Sequence, residues 1–378
     1  MSGLVRQETV LRFSSGLYLT GVAAFLVVAS SVAIRDHLTI PIFDDWRILD
    51  SYFSTPLLDW LVAPQNGHHV PLTLLLFALD YEWFGGRMHL LTVASVFCAW
   101  VTSVVLFLGL WISRGVGDPL SRALFGFVCF AFFWAAGSYD LLWGMNQGSV
   151  LARLLLFLAL SCAMALRRRL SEADGAGLWL PAAAVSVGLL ATFSHGMGFA
   201  VWISLVAVSL AGRLPWRVTF VFVAAGAVSL AIYLLGIEGG PEIASAGDAL
   251  LRPVDLLEFT VAFIGAPVAV TLTGLGALAP ESVYFASRWF GGVGLAAGAG
   301  LLLARRCRVG PWLEFSLGPM TFAVAGAAMV ALVRLPNFPP EQSVDLRFLG
   351  WSSLYWIGVI VAVGTLIRGA RARAAFVS

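Results

Sequence analysis

Apolar runs of bilayer length recur along the whole chain, separated by short polar stretches. Runs near 14–34, 88–112, 121–137, 145–166, 178–194, 197–212, 218–236, 289–304, 312–333 and 348–367 each approach the roughly 20 residues that cross a bilayer as helix. These are the ten predicted spans. Two further apolar stretches do not fit so simply. Residues 71–85, Pro71 to Gly85, are short for a span and carry Asp80 and Glu82, a pattern that predicts an amphipathic helix lying on the membrane interface. Residues 254–279 are long enough to cross, but an eleventh span there would move the C-terminal arginines to the opposite side. That stretch is therefore predicted to be interfacial or re-entrant, with a break at Gly265-Ala266-Pro267. Irregular backbone at membrane depth is tolerated only where protein or water satisfies it.

Composition removes the alternative of a soluble protein. A chain of 378 residues would ordinarily suggest two soluble domains or so. Here 60% of residues are hydrophobic and 12% charged, and the mean hydropathy is +0.89. Soluble proteins carry about 25% charged residues. The expected fold class is all-α integral membrane, a single transmembrane domain over 1–378. Its first outer loop, 35–87, holds interfacial helices, and a second outer region covers 237–288. The first apolar run ends in Ala33-Ile34-Arg35 without a small-residue cleavage pattern and reads as a retained helix.

Charge sets the orientation. All 23 basic residues are arginine, which with abundant Ala, Gly and Val points to a GC-rich bacterial genome. Fifteen of them fall on one side of the predicted spans, among them Arg6, Arg114, the Arg167-Arg168-Arg169 run, Arg305 and Arg371. Seven lie opposite and Arg153 sits within a span. The positive-inside rule makes the rich side cytoplasmic, with both termini inside a bacterial inner membrane. Sixteen of 21 acidic residues and all five histidines then lie outside, so the chemistry is expected there. A net charge of +2 says nothing about nucleic acid, and no basic run or basic–aromatic ladder supports it, so no nucleic-acid partner is expected. Cys98, Cys129 and Cys162 lie in apolar runs and Cys307 among arginines; without a CxxC, neither a disulfide nor a metal site is expected.

Several constellations on the outer side could carry chemistry. Phe43-Asp44-Asp45-Trp46 sets two adjacent carboxylates about ten residues beyond the first span. Such a pair can supply a general base with its neighbour orienting or binding metal, or it can be a solvated acidic loop. His68 and His69 follow Gln65-Asn66-Gly67. Adjacent histidines point to different faces of a helix and make a poor metal pair, so either one donates to an anionic phosphate and the other is structural, or both are interfacial histidines with satisfied hydrogen bonds. Asp140, Gln147 and Arg153 form a third group around the start of the fourth span. An arginine at membrane depth costs roughly 2.5–3.5 kcal/mol and usually faces a polar interior. Arg153 either pairs with an acid such as Asp140 or snorkels outward. His195, in Ser194-His195-Gly196, serves a site or only caps a turn. Arg334 and Arg347 bracket a proline-rich loop and offer the planar fork that matches phosphate.

No GxSxG elbow, P-loop, GxGxxG or EF-hand loop is present. What the chain does resemble is the GT-C superfamily of membrane glycosyltransferases, nearest the protein O-mannosyltransferase-like members. The likeness rests on a retained first helix, the acidic pair soon after it, and His68-His69-Val70-Pro71 running into Leu76-Phe77-Ala78-Leu79-Asp80-Tyr81 and a second span beginning at His89. It covers residues 14–112, with a weaker match over Ser138–Phe157. The resemblance implies a polyprenyl-phosphate-linked sugar donor, an envelope glycan, lipid or protein hydroxyl as acceptor, and transfer on the outer face of the membrane. It maps the catalytic acid onto Asp44 or Asp45, Asp44 being favoured, and an acid of the second outer loop onto Asp140. His68-His69 stands where relatives often have an arginine before the proline, which leaves the phosphate ligands to be assigned among His68, Arg334 and Arg347. No cofactor is called for, and a divalent cation is left open. A membrane acyltransferase with His68 or His195 as base, and a lipid or solute transporter, are the competing readings.

Overall fold

The computed structural model describes residues 2–39, 45–65, 67–114, 119–134, 139–143, 146–171, 179–235, 246–274, 280–305 and 311–377. Among these the chain is helical, with no strand and one isolated bridge between Gln65 and His68. In order the helices are α1 (Ser2–Arg35), α2 (Asp45–Ser54), α3 (Leu57–Val62), α4 (Pro71–Phe84), α5 (His89–Arg114), α6 (Pro119–Phe133), α7 (Tyr139–Leu142) and α8 (Gln147–Ser171). There follow α9 (Trp179–Thr192), α10 (Ala200–Ala211), α11 (Trp216–Leu234), α12 (Ala246–Leu250), α13 (Pro253–Thr273), α14 (Pro280–Arg305), α15 (Pro311–Arg334) and α16 (Leu349–Val377). Among the described residues, seven helices are long and apolar enough to cross a membrane, within α1, α5, α8, α11, α13, α15 and α16. Shorter apolar helices lie at Ser121–Phe133, Trp179–Thr192 and Gly196–Ala211. The protein is an all-α, multi-pass membrane protein.

Contacts divide the bundle into two ends. At one, the end of α8 meets the starts of α9 and α15: Leu166, Leu180 and Leu214 pack together, and fully buried Glu314 pairs with Arg167. Glu314 lies in the first turn of α15, where the helix dipole favours an anion. At the other end sit the histidines. His37 bridges the end of α1 to Arg87 O at 3.0 Å, and Thr73 donates to Ser194 O at 2.9 Å. The core between the ends is apolar and close-packed, with Phe157, Phe222, Phe259, Phe263 and Phe322 fully buried.

The first loop folds into a small body of its own. Ile48 of α2, Trp60 of α3 and Leu74, Phe77 and Ala78 of α4 pack with Met88 and Leu91. Trp60 Nε1 donates to Ser51 Oγ at 3.0 Å. Tyr52 donates to Glu82 at 2.6 Å, which pushes the phenol up to about 12. Asp80 is buried at the base of this body and accepts from the Leu90 N–H, so it satisfies an orphan donor in the first turn of α5. Burial raises its pKa.

The helix α4 occupies the predicted interfacial stretch, but it is not amphipathic. One face buries Thr73, Leu74 and Phe77, and the other exposes Leu75, Trp83 and Phe84. Neighbouring Phe53, Leu57, Leu58 and Val62 are exposed as well. An apolar outer face on a short helix has lipid, not water, as its fitting neighbour.

The expected break at Gly265-Ala266-Pro267 is absent: α13 runs unbroken from Pro253 to Thr273. Pro267 has no N–H to bond one turn back and disturbs the carbonyls there. Beside this point the Trp356 indole donates to Ile264 O at 2.7 Å and ties α13 to α16. Length and composition would count α13 as a span. Its contacts put both ends at the histidine end. Arg252, just before α13, donates to Leu335 O at 3.0 Å, while Ala266 and Val270 pack in one cluster with Leu349, Val344 and Trp134. Against α14 the approach is backbone to backbone. A Cβ on Gly265 would overlap Ser287 O and Gly291 N, and one on Gly291 would overlap Val261 O.

Candidate functional site

The polar centre of the histidine end is an ion pair. Arg153 Nη2 lies 2.7 Å from Asp140 Oδ2, with the two side chains 4% and 1% exposed. Of the two expectations for Arg153, the pair holds and outward snorkelling does not. Two elements make it: α7 presents Asp140, and Arg153 reaches back along α8 towards its start, the direction helix side chains take. Asn146 Nδ2 donates to the other carboxylate oxygen, Oδ1, at 3.2 Å. Burial pushes the Asp140 carboxyl up to about 6, with the guanidinium and the Asn146 amide acting against that rise. Gln147 is buried beside the pair and its Oε1 has no hydrogen-bond partner.

The pair is roofed from the far end of the chain. Gly350 lies so close that a Cβ there would overlap Arg153 Nη1 and Asp140 Oδ2. Trp351 places its ring 5.7 Å from the guanidinium carbon, a cation–π contact, and stacks on Phe322 with centroids 5.4 Å apart. The His195 ring centroid is 5.1 Å from that of Trp351.

His195 does both things the sequence suggested. Its Nδ1 accepts from the Met197 N–H at 3.2 Å and so caps the turn Gly196–Phe199. It also faces the site. Because Nδ1 accepts, the proton of the neutral ring is on Nε2. Burial, followed by nearby His68 and Arg153, pushes the pKa down to about 3. A histidine whose folded pKa is lowered adds stability above its unfolded value near 6.5 and loses it as pH falls towards 3. Thermal unfolding in detergent between pH 7 and 4 is expected to show this loss, and His195→Gln to flatten it. An unchanged slope in the variant would assign the acid sensitivity elsewhere.

The first loop reaches the same place. His68 Nδ1 is 2.8 Å from the Tyr233 hydroxyl, and its ring stacks 6.5 Å from that of His195. His69 takes the structural part. Its two ring nitrogens meet Val62 O and Leu235 O, each at 2.9 Å, and brace the loop against the end of α11.

Two other predicted residues have contacts of their own. Arg347 pairs with Asp345 at 2.8 Å, and Arg334 stands 5.2 Å over the Phe338 ring, so each is engaged within its own loop. Asp44 lies outside the described residues, as do the side chain of Asp45, whose backbone begins α2, and Cys307. Among the described residues, no group of three His, Cys, Asp or Glu could hold a metal ion. Gly350, Trp351 and Tyr233 were not foreseen. Nothing marks this tryptophan among 14 or this tyrosine among seven, and a glycine carries no chemistry to notice.

No family model, curated protein or solved structure matches this chain.

Proposed function

We propose that the protein is an inverting glycosyltransferase that moves a sugar from a polyprenyl-phosphate donor to an envelope glycan, lipid or protein hydroxyl. The reading places the histidine end on the outer face of a bacterial inner membrane and the arginine-rich end in the cytoplasm. With α13 lying across the histidine end, ten spans remain and both termini are cytoplasmic.

One observation carries the reading. The buried Asp140–Arg153 pair, His195 and Trp351 meet His68 directly beneath the loop body whose first helix starts at Asp45. Charge inside a membrane protein is costly and is normally kept for function. Thr73 and His68 tie the loop body to this centre.

The chemistry follows from the donor. A lipid phosphate is a good leaving group and needs no general acid. The acceptor oxygen attacks the anomeric carbon, its proton passes to the Asp44 carboxylate, and the carbon–oxygen bond to phosphate breaks with its electrons leaving on the phosphate. A single displacement inverts the anomeric centre. His68 and the Tyr233 hydroxyl supply hydrogen bonds for the departing phosphate. Arg153, held by Asp140, adds positive potential from below as a positioning residue. Arg347 and Arg334, engaged in their own loop, are less suited to that task than the sequence suggested.

The acyltransferase reading is less well supported at His195, because its Nδ1 is taken by the Met197 N–H and its Nε2 then carries the proton, a donor rather than a base. The test is transfer from a synthetic polyprenyl-phosphate sugar by purified protein. Asp44→Asn is expected to lower transfer at least 100-fold while thermal unfolding in detergent is unchanged, since a positioned base contributes about 10²–10⁴-fold. Full activity in that variant would move the base elsewhere. Envelope material from a deletion strain that lacks an acyl group instead of a sugar would replace the proposal.

A further inference from the structure

At the arginine end, away from the site described above, the bundle holds a cavity of about 480 Å³ between α5, α8 and α15. That is within the roughly 300–1,000 Å³ of small-molecule sites. Its walls are apolar: Leu106 of α5, Met164 and Ala165 of α8, Trp312 and Phe315 of α15. Arg167 and Arg168, at the end of α8, line it as well and bring positive charge to an otherwise apolar hollow. Glu314, fully buried, pairs with Arg167 and fixes its guanidinium while offsetting its charge, so Arg168 carries more of the net positive charge. Arg169, next in sequence, stands over Trp179 at 5.6 Å and adds a third positive charge nearby.

An apolar hollow of this size facing a bilayer does not fill with water, which needs polar partners there. Left empty, its lining would lose its dispersion contacts. The occupant that restores them is a hydrocarbon chain. The positive charge there then selects the headgroup, since basic pockets between helices hold anionic lipid headgroups. We infer that this cavity is a binding site for an anionic phospholipid, with an acyl chain between α5, α8 and α15 and its phosphate at Arg167 and Arg168. Chain and headgroup lie in the order a lipid presents them, tail towards the middle of the bundle and charge at its end.

The test uses the full chain, stripped of lipid in detergent, and compares three additions: phosphatidylglycerol, phosphatidylcholine and inorganic phosphate. Native mass spectrometry and thermal unfolding read the outcome. Phosphatidylglycerol should be retained in preference to phosphatidylcholine by roughly fivefold for each arginine engaged. Arg168→Gln should reduce that preference, and Ala165→Trp should remove retention of either lipid by filling the hollow. Equal retention of the two lipids by the native chain, or a preference unchanged in Arg168→Gln, would overturn the inference. So would stabilisation by inorganic phosphate alone equal to that by phosphatidylglycerol, which would mean that the arginines bind a free anion without the cavity. Arg168 is on the exposed side of α8, so its variant remains informative if Ala165→Trp fails to fold.

Discussion

Replacing Asp140 with alanine is expected to destabilise the protein by about 3–5 kcal/mol and to abolish sugar transfer. Truncation leaves Arg153 charged, buried and unpaired beneath Trp351, and an uncompensated buried charge costs about that much. Loss of activity alone would not separate a damaged fold from a damaged site. The double variant Asp140→Leu with Arg153→Met does so. Buried ion pairs can be exchanged for apolar residues of similar volume with little loss of stability, so this variant should unfold close to the native midpoint and still fail to transfer sugar. A double variant that is both stable and active would show the pair to be a packing feature with no part in the site. Between the two single losses, the coupling energy measured by the cycle should be large, because the residues touch at 2.7 Å.

The second large effect is expected at the crossing of α13 and α14. Gly265→Ala places a methyl group on Ser287 O and Gly291 N, which are backbone atoms and cannot rotate away. The helices must part, at a cost of at least roughly 1–3 kcal/mol. Gly291→Ala should cost a similar amount against Val261 O. Together the two should cost less than their sum, because helices already separated by one methyl group make room for the other. Strict additivity, measured by unfolding midpoints in one detergent, would mean that the two contacts yield independently.

Much of the architecture was readable from hydropathy and charge. A helix in a bilayer satisfies its own backbone, so each apolar run could be read alone, and the helices follow those runs closely. The Asp140–Arg153 pair was readable for the same reason: an arginine at that depth must find an anion, and Asp140 was the nearest acid on the outer side. His195 at its turn was visible too. What failed depended on contacts between distant segments. Pro267 predicts a break by local rules, and the segments packed around α13, Trp356 among them, lie far along the chain. Gly350 carries no signal, because its part is to be small against a side chain that another helix supplies. Arg334 and Arg347 were legible as cations, but their contacts with Phe338 and Asp345 were not. The resemblance that pointed to Asp44 rests on short motifs, and it is the Asp44→Asn measurement that bears on it.

The order in which the roof of the ion pair is assembled has a consequence for synthesis. Asp140 and Arg153 are close in sequence and enter the bilayer together, early in translation. Gly350 and Trp351 open α16 and emerge from the ribosome only after α9 to α15 have been made. Through that interval the nascent chain carries two charges without their aromatic lid, guarded by each other alone. A chain halted ahead of Gly350 would keep that unfinished state permanently and present quality-control proteases with a polar flaw inside the membrane.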